Sequence, residues 1–252
     1  MYTKILYSLD AGVARITLNR PDKRNALSRE LIDEVKSAIG DAGRDPECRV
    51  VLLAGAGKDF CSGADLAGLE KTAKNGVLDN MADARNMAEL FLAIRNHRCP
   101  VIAAVQGRAL AGGCGLATAC DIVLASESAQ FGYPEVNIGF VAAMVMAILR
   151  RSVSEKDAFE LVATGEIISA ARAHQLGVIQ RVFPDAQFAA EVDAYAVRQA
   201  SKSSSAVMLS KRLLYQMDSM SFEAALEAGI QMNALARTTD DCRRGIERFL
   251  KK

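Results

Sequence analysis

Alternating and helical hydrophobic patterns divide the chain into a β-rich opening, a mixed middle and a helical tail. Lys4 to Leu9 and Val13 to Leu18 read as two strands. They flank Asp10-Ala11-Gly12, a hairpin signal because glycine tolerates the positive φ that tight turns need. From Ser28 to Ala42 the apolar residues Leu31, Ile32, Val35 and Ile39 share one helical face, with Ser28 placed to cap the start. A strand follows at Arg49 to Ala54. The strand-then-helix rhythm returns where Val101 to Val105 runs into a glycine-rich helix start and the apolar helix Leu116 to Ala119, followed by a strand at Ile122 to Ala125. It returns once more where Val178 to Val182 leads into a helix over Ala186 to Ala200. This repetition predicts ββα-like units. Beyond Ser203 only helical patterns remain, at Ser205 to Tyr215, Phe222 to Ala236 and Asp240 to Leu250. Leu69 to Leu78, with Lys71, Lys74, Asn75 and Gly76, has the polar, breaker-containing composition of a loop bordering a substrate entrance.

Composition narrows the function more than the fold. The 252 residues are enough for one full hydrophobic core. With 31 Lys and Arg against 30 Asp and Glu, the net charge of +1 offers no field for gathering nucleic acid or an anionic membrane. An anionic ligand must therefore be held by local charge. The six cysteines, Cys48, Cys61, Cys99, Cys114, Cys120 and Cys242, show neither metal-ligand spacing nor disulfide-scaffold density, so they read as reduced thiols of a cytoplasmic protein. No apolar stretch reaches membrane-spanning length, and no metal site is expected.

Three segments can carry chemistry. Phe60-Cys61-Ser62-Gly63-Ala64-Asp65-Leu66 follows a strand and can present unpaired N–H groups, although an ordinary glycine turn capped by Asp65 would look the same. Gln106 to Gly115 places Gly107, Gly112, Gly113 and Gly115 between a buried strand and an apolar helix. Free N–H groups and the positive end of a dipole there suit a carbonyl oxygen becoming an oxyanion, while close helix-strand packing is the alternative. It is not a dinucleotide fingerprint, because the G-x-G-x-x-G spacing is absent. In the third, Phe131-Gly132-Tyr133-Pro134-Glu135, apolar neighbours favour a raised carboxyl pKa useful for proton transfer, against the alternative of a solvated loop carboxylate.

Taken together and in this order, the segments resemble the enoyl-CoA hydratase/isomerase (crotonase) superfamily. Arg24-Asn25-Ala26-Leu27, Cys120-Asp121-Ile122, Ala173-x-x-Leu176-Gly177-Val178 and Thr239-x-Asp241-x-x-x-Gly245-Ile246-x-x-Phe249 extend the resemblance over nearly the whole chain. It implies an α/β fold, a crotonase-like spiral of ββα units over residues 1–200, with a helical C-terminal region at 201–252 for trimerisation and active-site cover. It implies an acyl-CoA thioester as partner, coenzyme A being part of the substrate with no separate cofactor, and a trimer or dimer of trimers. The thioester oxygen would sit between the N–H groups of Ala64 and Gly112, with Glu135 as general acid/base. Arg24, Ala26, Asp65 and Leu66 would lie along the nucleotide, and Arg248, Lys251 and Lys252 would help to hold phosphate. Tyr133 would shape the acyl pocket or hydrogen-bond to Glu135. Asp121, His97 and His174 are expected to be structural.

Two departures matter. Two-carboxylate hydratases of the superfamily carry a glutamate where this chain has Gly115. The glycine implies either room for a larger acyl group or a site with one proton-transfer group, as in single-glutamate enoyl-CoA isomerases and in methylglutaconyl-CoA-type hydratases. Val141-Ala142-Ala143 replaces the proline and glycines of many relatives. A hydratase, an isomerase and a catalytically silent acyl-CoA-binding scaffold are the readings carried forward.

Overall fold

The computed structural model describes residues 2–65, 68, 70 and 74–251, and Leu66, Leu69, Lys71 and Lys252 among the expected residues lie outside that set. β1 (Ile5–Asp10) and β2 (Val13–Leu18) form the expected hairpin, and helix α1 (Arg29–Arg44) starts where the Ser28 hydroxyl accepts from the Leu31 N–H at 3.3 Å. Its buried stripe is Leu31, Ile32, Val35, Ala38, Ile39 and Ala42, the helical spacing of the sequence pattern.

β3 (Val50–Gly55), β4 (Val101–Val105), β6 (Ile122–Ser126) and β9 (Arg181–Phe183) continue the main sheet in the order β1-β2-β3-β4-β6-β9, parallel after the hairpin. Val51, Leu53, Ala103 and Val105 face a core with α1, while Val50, Leu52, Ile102 and Ala104 face Val192, Ala196 and Ala200 of helix α7 (Phe188–Ala200). Both faces are covered, so these strands are apolar throughout rather than alternating. A second sheet joins β5 (Arg108–Leu110), β7 (Gln130–Gly132) and β8 (Ile167–Ser169).

Helix α2 (Val77–Arg95) corrects the loop expected up to Leu78, since its first residues are already helical. α3 (Gly112–Ala119) packs against α4 (Ala143–Leu149), followed by α5 (Glu155–Thr164) and α6 (Ala170–Leu176). The strand expected at Val178 to Val182 is shorter: Gly177, at φ 88°, ends α6, and only Arg181–Phe183 pairs with β6.

The tail is helical as expected, in α8 (Ser204–Gln216), α9 (Phe222–Arg237) and α10 (Asp240–Leu250). A buried ionic contact fastens α8 to the body. Lys211 Nζ donates to Asp121 Oδ2 at 2.7 Å and to the carbonyls of Ile94 and Cys99, while Tyr215 donates to Asp121 Oδ1 and the Val101 N–H to Oδ2. Asp121 is thus structural, as expected. No residue of α9 or α10 is buried, and Phe222, Leu226, Ile230, Ile246 and Phe249 lie exposed on them. Among the described residues no helix is long and apolar enough to cross a membrane.

Candidate active site

Strand register brings the three chemistry-bearing segments together. Ala109 of β5 pairs in parallel with Phe131 of β7 on one side and with Cys61 on the other. Parallel neighbours leave a sheet at the same end, so groups at similar offsets beyond those residues converge. Ala64 and Gly112 each follow their paired residue by three positions, and Glu135 follows Phe131 by four. The Ala111 N–H donates to the Gly132 carbonyl at 2.9 Å, tying the start of α3 to the strand that precedes Glu135.

Glycines allow the first two segments to meet. A Cβ on Gly63 would lie 2.9 Å from both Ala111 Cβ and the Leu110 carbonyl oxygen, and one on Gly113 would lie 2.3 Å from the Cys61 oxygen. Either side chain would force the backbones apart. Around them the donors are used: Leu27 N–H to Gly63 O, Ser62 N–H to Arg24 O, and Leu110 N–H to Cys61 O. The Ala64 and Gly112 N–H groups have no acceptor among the described residues. Gly112 opens α3, where an unpaired N–H and the helix dipole add to one another. Two such donors can share one carbonyl oxygen and stabilise it as negative charge develops.

The backbone is held in uncommon conformations here. Ala111, which caps α3, adopts φ 50° and ψ −127°, and Arg24 and Asn25 have φ of 50° and 54°. Each such residue costs ~1–3 kcal/mol and persists only where its surroundings hold it. The fully buried Asn25 side chain does part of that holding, donating to the carbonyls of Ala56 and Asp59 at 2.9 and 2.8 Å and accepting from the Arg20 N–H at 2.9 Å. Arg20 Nη2 donates to Asp65 Oδ2 at 2.6 Å, and its Nη1 to the Ala26 carbonyl. The Asp65 carboxylate and the buried Ala26 thus brace the turn that carries Ala64. Neither Arg20 nor the clamp role of Asn25 was legible, because each depends on partners 31 to 45 residues away.

Glu135 sits in a single 3-10 turn, Pro134–Ile138, where proline fixes the entry and Gly139, at φ 70°, ends it. Its Oε2 is buried without a hydrogen-bond partner. Burial pushes the carboxyl pKa above its ordinary value, the direction that keeps a proton available. Glu135 also lies near the first turn of α3: burial above all, with a smaller push from Glu135, raises the Cys114 thiol to about 12.

Two expectations are corrected. The Tyr133 hydroxyl meets Thr118 Oγ1 at 3.3 Å and the Cys114 thiol rather than Glu135, and the ring is 1 % exposed, a core position. At Gly115 there is no open room. A Cβ there would lie 2.1 Å from Val145 Cγ1 and 3.2 Å from Phe91 Cζ, so α4 fills the notch. Arg24 is exposed and lines an open cleft of ≈ 540 Å³ with Lys58 and Arg108. Arg248 is exposed on α10. His97, buried, accepts from the Cys99 N–H at 3.1 Å, and the exposed His174 on α6 has its Nδ1 3.1 Å from the Ile179 carbonyl. Five cysteines are free and buried, and Cys242 is free and half-buried.

Comparison with known proteins points the same way. The family model described as enoyl-CoA hydratase/isomerase matches residues 8–252. A Thermus thermophilus chain with a provisional enoyl-CoA hydratase name is 40 % identical over 240 residues, covering 95 % of each chain. The 2,3-dehydroadipyl-CoA hydratase of Escherichia coli is 33 % identical over 251 residues, covering 99 % of this chain and 96 % of its own. The crystal structure of a Mycobacterium smegmatis enoyl-CoA hydratase superposes with a TM-score of 0.95 at 32 % identity, covering 99 % of this chain and 96 % of that one.

Proposed function

Because the chain belongs to the enoyl-CoA hydratase/isomerase family, we propose that it adds water to a 2-enoyl-CoA thioester, with Glu135 moving the proton. The thioester oxygen lies between the N–H groups of Ala64 and Gly112. Glu135 takes a proton from water as the water oxygen bonds the β-carbon, negative charge passes to the thioester oxygen as an enolate, and Glu135 returns the proton to the α-carbon. One observation carries this reading: unpaired N–H groups and a buried, unpartnered carboxyl oxygen follow β5, β7 and the bridged Cys61 segment at similar offsets from residues paired in parallel. A silent scaffold has no use for a buried carboxyl oxygen without a partner, which costs stability.

Arg24 supplies a cation for the nucleotide phosphates, with Asp65 on the adjoining turn and Leu66 next to it in sequence. The exposed apolar faces of α9 and α10 support a homo-oligomer, a trimer or dimer of trimers, in which they are covered. Cytoplasmic placement fits the buried free thiols.

A second reading has its own support. Val145 and Phe91 occupy the space at Gly115, so no second carboxylate is contributed from that turn of α3. A lone carboxyl can carry a proton between the α and γ carbons, the isomerase reaction, or work with bound water as in a methylglutaconyl-CoA-type hydratase. Incubation with short linear and branched 2-enoyl thioesters and with 3-enoyl thioesters, followed by mass spectrometry, separates the readings. Addition of water to a 2-enoyl thioester is the expected product, and conversion of 3-enoyl to 2-enoyl without hydration would select the isomerase.

A further inference from the structure

Between α2 and α4 lies a cavity of ≈ 360 Å³ lined by Phe91, Leu92, Met144 and Ile148 and by Ala119, the last residue of α3. Three charged groups stand at its rim. Arg95 and Arg151 both pair with the Asp218 carboxylate, Arg151 at 2.9 Å. Two guanidiniums against one carboxylate leave one positive charge in excess beside an apolar wall.

Helix α2 links the cavity to the proposed reaction centre. α2 passes the donor at Gly112 with Met87, whose Cε would lie 3.7 Å from a Cβ there, and it passes Gly115 with Phe91 before reaching the rim with Arg95. Those residues recur every four positions on one helical face, so the path from Met87 to Arg95 is about 12 Å. An extended aliphatic chain advances ~1.3 Å per carbon, from bonds of ~1.52 Å, and covers that distance in about nine carbons.

We infer that this cavity binds an aliphatic chain of about eight to ten carbons ending in a carboxylate, the chain lying on Phe91, Met144 and Ile148 and the carboxylate meeting Arg95 and Arg151. An apolar body ordered by convergent cationic groups at one end is the usual build of a small-molecule site. Guanidinium forks suit a carboxylate, and the shared Asp218 holds both at the rim. The ligand has two sources: the distal end of an ω-carboxylated acyl thioester, with Phe91 turned aside, or a free fatty carboxylate held apart from the reaction. The first source rests on the thioester reading above, and the second does not.

Titration of decanoate into the purified protein, read by calorimetry, tests the site without reference to turnover. Saturable binding is expected, weakened about tenfold by Arg151→Gln through loss of a charged hydrogen bond and abolished by Ala147→Phe, which fills the cavity. Both variants should keep wild-type turnover of a short thioester and a wild-type melting midpoint. Competition of decanoate with a long ω-carboxylated thioester but not a short one assigns the cavity to the substrate tail. Binding without competition assigns it to a free carboxylate. Absence of saturable binding, or equal affinity in both folded variants, overturns the proposal. Variant-sensitive binding by a protein that turns over no thioester keeps the site and removes the functional reading instead.

Discussion

Substitution of Gly115 by alanine pits two effects against each other, and the structure decides between them. In a helix interior alanine is favoured over glycine by ~1 kcal/mol, so in isolation the change stabilises α3. Against it stands the contact: the added carbon would lie 2.1 Å from Val145 Cγ1 and 3.1 Å from Val145 Cβ. Valine in a helix has one strongly preferred rotamer, so its methyl cannot swing away cheaply, and α3 and α4 must separate instead. Overpacking of this kind costs ~1–3 kcal/mol. Net destabilisation of up to ~2 kcal/mol is expected, and at about 2–4 °C per kcal/mol for a chain of this size it is readable as a lowered melting midpoint. Val145→Ala alone should cost ~1.6 kcal/mol, from two methyl-sized groups at ~0.8 each. In the double variant the new methyl enters the vacated space, so the two costs should not add, with a coupling of ~1–3 kcal/mol. A thermal or urea double-mutant cycle, with light scattering to show that assembly is unchanged, measures it. A fully additive cycle, or a Gly115→Ala protein stabilised by the whole ~1 kcal/mol of helix propensity, would refute the packing account. The same geometry means that Gly115→Glu alone should disrupt the α3–α4 contact rather than introduce a working second carboxylate.

Other consequences follow from buried charge. The folded pKa of Glu135 is raised, so its contribution to stability is present below the unfolded value of ~4.3 and lost as pH rises through the folded value. Glu135→Gln should therefore melt higher than the wild type at pH 8 and converge with it near pH 4; equal midpoints at pH 8 would contradict that burial. Asp121→Asn leaves the Lys211 ammonium without its anion at a side-chain exposure of 8 %. A loss of ~3–5 kcal/mol is expected, with α8 to α10 cleaved first in limited proteolysis. A loss under about 1 kcal/mol on urea unfolding would remove this contact from the docking of the tail.

How much of this was legible depended on whether a signal was local. The hairpin, α1, β4 and the tail helices carry their own periodicity and caps, and the structure places them within a residue or two of the sequence reading. α2 lacks a clean face. It buries only Leu90, Phe91 and Ile94 while Val77, Leu78, Met81 and Leu92 stay exposed, so its pattern reads as none. β5, β7 and β8 are three residues each, too short for alternation to register. At the site, glycines and a proline mark the three segments as special backbone, and the resemblance singles out Ala64, Gly112 and Glu135 within them. The filling of Gly115 was not legible, because it depends on where α4 lies, and neither was the Arg20–Asp65 brace, which joins two turns 45 residues apart.

The central claim is that Glu135 moves the proton on a thioester held by backbone donors, and one comparison tests it most directly. Wild type and Glu135→Gln are given a 2-enoyl thioester that the wild type hydrates, and kcat is followed by loss of the enoyl absorbance, with thioester affinity measured separately. The account predicts a fall in kcat of ~10²-fold or more with affinity unchanged, since the donors of Ala64 and Gly112 do not involve the replaced group. A glutamine variant that binds the thioester and turns it over at the wild-type rate would contradict it.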